Sequence, residues 1–202
     1  MKKILFYLMI YAALTPVVMA NHWERMQERT GIVDPTGIFH IKEHAIAAYD
    51  SGDLKGAVEW FRKWAALGGP YGQYRLAKMY MFGAGVKKDS REAVKWFRAS
   101  AEQGQIESQD FLGVMYRKGE GVPRNLTAAA EWFQKAAEQG LSDAQISLAT
   151  LYYDGTGLPQ DDGMAVKWFR KAAGQGDAFA QAMVGEMYEA GRGVKQNLEK
   201  AA

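Results

Sequence analysis

A Trp-Phe pair returns every 36 residues along this chain, at Trp60-Phe61, Trp96-Phe97, Trp132-Phe133 and Trp168-Phe169. A fixed period of this size constrains the architecture before any local propensity is read. One supersecondary unit recurs, and each unit needs its neighbours to bury its apolar faces. Other series keep the same step: Tyr80, Tyr116, Tyr152 and Tyr188; Gly83, Gly119, Gly155 and Gly191; Gly85, Gly121, Gly157 and Gly193; Ala93, Ala129, Ala165 and Ala201.

Each unit reads as two helices. The first runs from a small residue (Gly72, Ser108, Ala144 or Ala180) to just past the tyrosine, with Leu76, Leu112, Leu148 or Val184 four positions on. Spacings of four and eight put these residues on one helix face. Gly-x-Gly then stops the helix, since glycine tolerates the positive φ of a helix C-terminus. Asp89, Asn125, Asp161 and Asn197 follow as N-caps of the second helix, their side-chain oxygens suited to accept from free N–H groups of the first turn. That second helix carries Ala, Trp and Phe on one side, and the tryptophan is expected to be a buried wedge of the core.

The ends differ. Residues 1–20 have Lys2 and Lys3, then an apolar stretch, then Val18-Met19-Ala20, which is the pattern of a cleaved secretory signal peptide. No cysteine follows to carry a lipid, and the chain has none at all, so disulfides contribute nothing to its stability. Cleavage removes Lys2 and Lys3 and takes the formal net charge from +2 to zero, which argues against nucleic acid or an anionic membrane as the main partner. Residues 21–39 read as an N-terminal extension or cap, and residues 40–69 as a hairpin with a shorter turn. Trp64 there occupies the place that Ser100, Ala136 and Ala172 take later, as a capping aromatic would. Four further units follow at about 70–105, 106–141, 142–177 and 178–202, the last incomplete. An uncapped last unit would offer a surface for self-association.

The pattern in Gln109-Asp110-Phe111-Leu112-Gly113-Val114-Met115-Tyr116 and Trp132-Phe133-Gln134-Lys135-Ala136-Ala137-Glu138-Gln139-Gly140 resembles the Sel1-like repeat over about residues 70–202, and residues 40–69 resemble the related tetratricopeptide hairpin. The resemblance implies an all-α fold, a right-handed α/α superhelix or solenoid. It also implies a non-enzymatic adaptor or scaffold role in protein complexes of the bacterial envelope, periplasmic or secreted. Some similar proteins are periplasmic immunity partners of toxic effectors, and the resemblance implies this as the alternative role for the chain. Cysteine-rich members have been linked to β-lactam binding, which does not carry over to a chain without cysteine.

Signs of chemistry are sparse. His40-Ile41-Lys42-Glu43-His44 fits H-x-x-E-H and would put two histidines on one helix face, as zinc hydrolysis requires. Five residues in a chain otherwise built of repeats carry that rival reading weakly. The Gly-x-Gly series follows helices rather than strands, so it is no phosphate cradle. No residue is assigned a catalytic, cofactor or metal role.

The repeats instead point to a protein-binding surface. Counting from the small residue of each first helix, the positions +2, +6 and +9 change freely between copies while positions 0, +1, +4, +5, +7 and +8 are nearly invariant. At about 100° per residue the two sets fall on opposite sides of the helix. The expected partner-binding residues, on the concave face of the solenoid, are therefore Tyr74, Lys78 and Met81, then Asp110, Val114 and Arg117, then Ile146, Thr150 and Tyr153. Tyrosine, methionine and arginine are favoured in interface cores.

Overall fold

The computed structural model describes residues 37–199, and within them every regular element is an α-helix. The expected signal peptide, most of the expected N-terminal extension and Ala201 lie outside the described residues. The helices fall into two compact units, divided between Asp89 and Ser90. The first unit holds α1 (Ile38–Asp50), α2 (Leu54–Ala66) and α3 (Pro70–Phe82). The second holds α4 (Ser90–Glu102), α5 (Ile106–Lys118), α6 (Leu126–Glu138), α7 (Ser142–Asp154), α8 (Asp162–Ala173) and α9 (Ala178–Ala190). Within each unit, helices adjacent in sequence pack against one another. The chain is an all-α helical repeat fold.

The first helices begin two residues before the small residue, at Pro70, Ile106, Ser142 and Ala178. Caps that the sequence pattern hides explain part of this. The side chain of Gln105 accepts from the Ser108 N–H, and that of Asp177 accepts from the Ala180 N–H. The second helices start as expected: Asn125 accepts from the Ala128 N–H and Asp161 from the Met164 N–H. The four residues of this series share a backbone bond as well. The backbone N–H groups of Asp89, Asn125, Asp161 and Asn197 donate to the carbonyls of Tyr80, Tyr116, Tyr152 and Tyr188 at 2.9–3.0 Å, which closes every loop in the same way.

The two glycines of each loop do different work. Gly119 is the left-handed C-cap of α5, with φ 74°. Gly121, also left-handed at φ 75°, presses its α-carbon against the start of α4, where a Cβ would overlap the carbonyl oxygen of Ser90. Gly157 meets Leu126 and Gly193 meets Asp162 in the same manner. The second glycine is thus the joint between successive hairpins.

The core corrects one expectation. Phe61, Phe97, Phe133 and Phe169 are the buried wedges, with Leu76, Leu112 and Leu148 fully buried beside them. Trp60, Trp96 and Trp132 keep partial solvent contact, and of the four repeating tryptophans Trp168 alone is buried. The reason is their place one residue earlier on the helix, about 100° away from the phenylalanine. Lysine ammonium groups lie over the rings of Trp60, Trp132 and Trp168 at 4.1, 4.0 and 3.9 Å, from Lys63, Lys135 and Lys171. Trp64 is buried against α3, where Gly69 and Gly72 leave it room; a Cβ on Gly72 would sit 2.6 Å from the Trp64 ring. The equivalent slot between α4 and α5 is filled by the hydrogen-bonded pair Ser108 and Ser100. Residue sizes therefore trade across the contact.

Candidate functional site

A constant glutamine follows each small residue, and the structure shows its purpose. The amides of Gln73, Gln109, Gln145 and Gln181 donate to the carbonyls of Ala65, Ala101, Ala137 and Ala173, tying each first helix to the end of the second helix before it. Gln139 and Gln175 then donate to the side-chain oxygens of Gln109 and Gln145 at 2.8 and 2.9 Å. Position +1 therefore serves the fold. Burying an amide is tolerable only because both of its ends are paired.

The variable positions lie on the shoulders of the first helices, and all nine are partly buried. In the first unit, Lys78 holds its ammonium 5.4 Å from the Tyr74 ring, one helical turn away. Tyr74 adjoins Tyr71, and the Tyr71 hydroxyl accepts from Arg75 at 2.8 Å. The Arg75 guanidinium also lies 4.1 Å from the Tyr49 ring. Tyr71 and Tyr49, 39% exposed each, extend this aromatic and cationic surface. A sequence reading keyed to variable positions missed both.

In the second unit the shoulder is partly apolar. Val114, Ile146 and Tyr153 pack against the core cluster, and the Thr150 hydroxyl donates back to the Ile146 carbonyl at 2.9 Å. The Tyr153 ring carries the Arg192 guanidinium at 3.9 Å, and its hydroxyl donates to Glu186 at 3.4 Å. Arg192 also forms a two-pronged pair with Asp162, which holds that carboxyl below the usual carboxylate range through the hydrogen bond. Arg117 places its guanidinium 5.6 Å from the Phe133 ring.

Asp110 is out of character with this surface. The same position in the other copies holds Tyr74, Ile146 and Ala182. Its Oδ1 is buried and has no hydrogen-bond partner. Burial pushes the carboxyl up to about 6, the charge of Asp143 on α7 adds to the rise, and Arg117 opposes it.

The histidine motif lies on α1. The His40 and His44 rings are 4.0 Å apart, both beside Trp60, and the His44 Nδ1 is 2.9 Å from the His40 carbonyl, which takes that nitrogen up as a donor. Burial raises the carboxyl of Glu43 above its ordinary value. Among the described residues no group of three His, Asp or Glu side chains is placed to hold a metal ion.

The Sel1 repeat model matches residues 49–69, 70–105, 106–141, 142–177 and 178–202. The chain belongs to the Sel1 repeat family. Its fold is similar to the crystal structure of a protective antigen of uropathogenic Escherichia coli strains (37% identity, TM-score 0.73, covering 79% of this chain and 37% of that one). It is similar also to a Sel1 repeat protein of Oxalobacter formigenes (33% identity, TM-score 0.74, 78% of this chain and 65% of that one). A third likeness is to the cysteine rich protein B of Helicobacter pylori (26% identity, TM-score 0.51, 63% and 92%). The chain thus spans about a third and about two thirds of the first two relatives. None of the curated proteins matches it. Sel1 repeat proteins generally mediate protein–protein interaction, and their fold is typically a non-catalytic scaffold. No helix among the described residues is long and apolar enough to cross a membrane.

Proposed function

We propose that this chain is an exported, periplasmic adaptor that performs no chemistry and binds a protein partner on the shoulders of its first helices. Tyr74, Lys78 and Met81 supply the surface in the first unit. Asp110, Val114, Arg117, Ile146, Thr150 and Tyr153 supply it in the second.

The observation that carries this reading is the division of labour within one helix. Positions that face the core keep their small or apolar character in every copy, and the glutamine is the same in all four. The shoulder positions differ in charge, size and polarity from copy to copy and retain solvent contact. A surface whose chemistry changes along a repeating scaffold can recognise a non-repeating partner. The composition of residues 1–20 supports export.

The test is affinity capture from a periplasmic extract with the mature chain, followed by the variants Tyr74→Ser with Lys78→Glu, and Thr150→Arg. Both act at partly exposed positions, so circular dichroism should stay that of the parent while the captured protein is lost. Undiminished capture by both folded variants would refute the assignment.

A further inference from the structure

We propose that the first-helix surface of the second unit receives a basic segment of the partner, with one arginine or lysine side chain entering between α5 and α7 to meet the carboxylates of Asp110 and Asp143. This rests on the adaptor reading above and names the chemistry of what is bound.

The repeat supplies its own controls. Three of four copies fill the Asp110 position with tyrosine, isoleucine or alanine, so the fold has no need of a carboxylate there. A partly buried carboxylate with an unpartnered oxygen costs stability. Asp143 adds a second negative charge to the same place and raises that cost. Beside Asp143, the Ser142 hydroxyl is also buried without a hydrogen-bond partner. Two buried polar atoms without partners, one on α5 and one on the first residue of α7, leave hydrogen-bonding capacity that a donor from a partner could use.

The cations nearby do not supply that donor. The ion pairs Lys95–Glu92, Lys118–Glu120 and Arg192–Asp162 do not involve Asp110 or Asp143. Arg117 influences Asp110 through space, yet its guanidinium is placed over Phe133. Further along the surface, Glu186 and Glu189 on α9 keep the balance negative. The stretch from Glu138 to Asp162 contains no lysine or arginine. The partner surface that complements this is basic. An arginine or lysine head would satisfy the carboxylate oxygen, while Val114 and Ile146 offer the stem apolar contact.

The experiment uses the mature full chain and a hexa-arginine peptide, with binding followed by calorimetry and by NMR of labelled backbone amides. At pH 7.5 the parent is expected to bind at least tenfold more tightly than Asp110→Asn, with shifts centred on α5 and the start of α7. Asp110→Ile should match Asp110→Asn, and both should melt no lower than the parent. Since the Asp110 carboxyl takes up its proton near pH 6, the tenfold advantage should vanish at pH 5. Equal affinity of parent and Asp110→Asn overturns the proposal. So does saturation of the same amides by calcium chloride in preference to the peptide, which would make this a metal site. Capture of the natural partner by a folded Asp110→Asn chain, with loss in Thr150→Arg, would remove the charge reading alone and leave the adaptor reading standing.

Discussion

Gly121→Ala measures what holds consecutive hairpins together. Two costs apply. Alanine in the left-handed region at φ 75° costs about 1–2 kcal/mol. The new Cβ must also displace the backbone at Ser90, the first residue of α4, since it would overlap the Ser90 carbonyl oxygen. Forcing an extra methyl into packed backbone costs about 1–3 kcal/mol more. The expected total is about 2–5 kcal/mol. Gly119→Ala is a milder control, because Gly119 has φ 74° and its Cβ would come no nearer than 3.2 Å to Arg124, whose side chain and backbone it would both touch. It should cost about 1–2 kcal/mol from the backbone alone. Gly104→Ala adds a second control, with φ 87° and nothing within 4 Å. The assay is urea unfolding followed by far-ultraviolet circular dichroism and tryptophan fluorescence. Gly121→Ala should lower the midpoint well beyond either control. It should also flatten the transition, because weakening a junction in a linear array uncouples the repeats on its two sides. Equal midpoints for Gly121→Ala and Gly119→Ala would refute the joint and leave both glycines as mere turn formers.

Three further outcomes are expected. Phe133→Ala should cost about 3–5 kcal/mol in urea unfolding, since its ring is fully buried and touches Gly113. Gln109→Ala should cost about 1–3 kcal/mol by removing one of the two donors to the Ala101 carbonyl, which keeps the Gly104 N–H, and by taking away the acceptor of the Gln139 amide, whereas Gln139→Ala, which removes the outer member of the ladder, should cost about 0.5–1.5 kcal/mol. Asp110 makes stability depend on pH. Its carboxyl titrates higher in the folded chain than in the unfolded one, so its contribution is fully present below the unfolded value of about 4 and is lost as pH rises through about 6. Allowing for solvent screening, the loss is about 1–2 kcal/mol, to be read as a fall in urea midpoint between pH 4 and 7 that Asp110→Asn abolishes.

Periodicity made the helix pairs legible, together with the glycine stops and the caps at Asn125 and Asp161, because each rests on local backbone chemistry. Distances were not legible. Gly121 and Gly119 look alike in sequence, since the spacing shows tolerance of positive φ but not what stands 31 residues earlier. Phe133 and Trp132 travel together at every step, so the period alone could not say which faces inward. Gln109 was visibly constant, yet a constant polar residue reads equally as surface or as buried staple until its carbonyl partner is seen. At the candidate site the variable shoulder was found by comparing copies. The strain at Asp110 was hidden, because a varying position looks unconstrained whether it is solvated or forced under cover.

The glutamine staple has an evolutionary consequence. Each hairpin brings the amide that grips the one before and the carbonyl that the next will need. A 36-residue duplication would therefore arrive with its own fastening at both seams, and the array could lengthen or shorten in whole hairpins by genetic accident. An insertion of any other length would leave a buried amide facing no acceptor, so purifying selection should see indels here as a matter of phase.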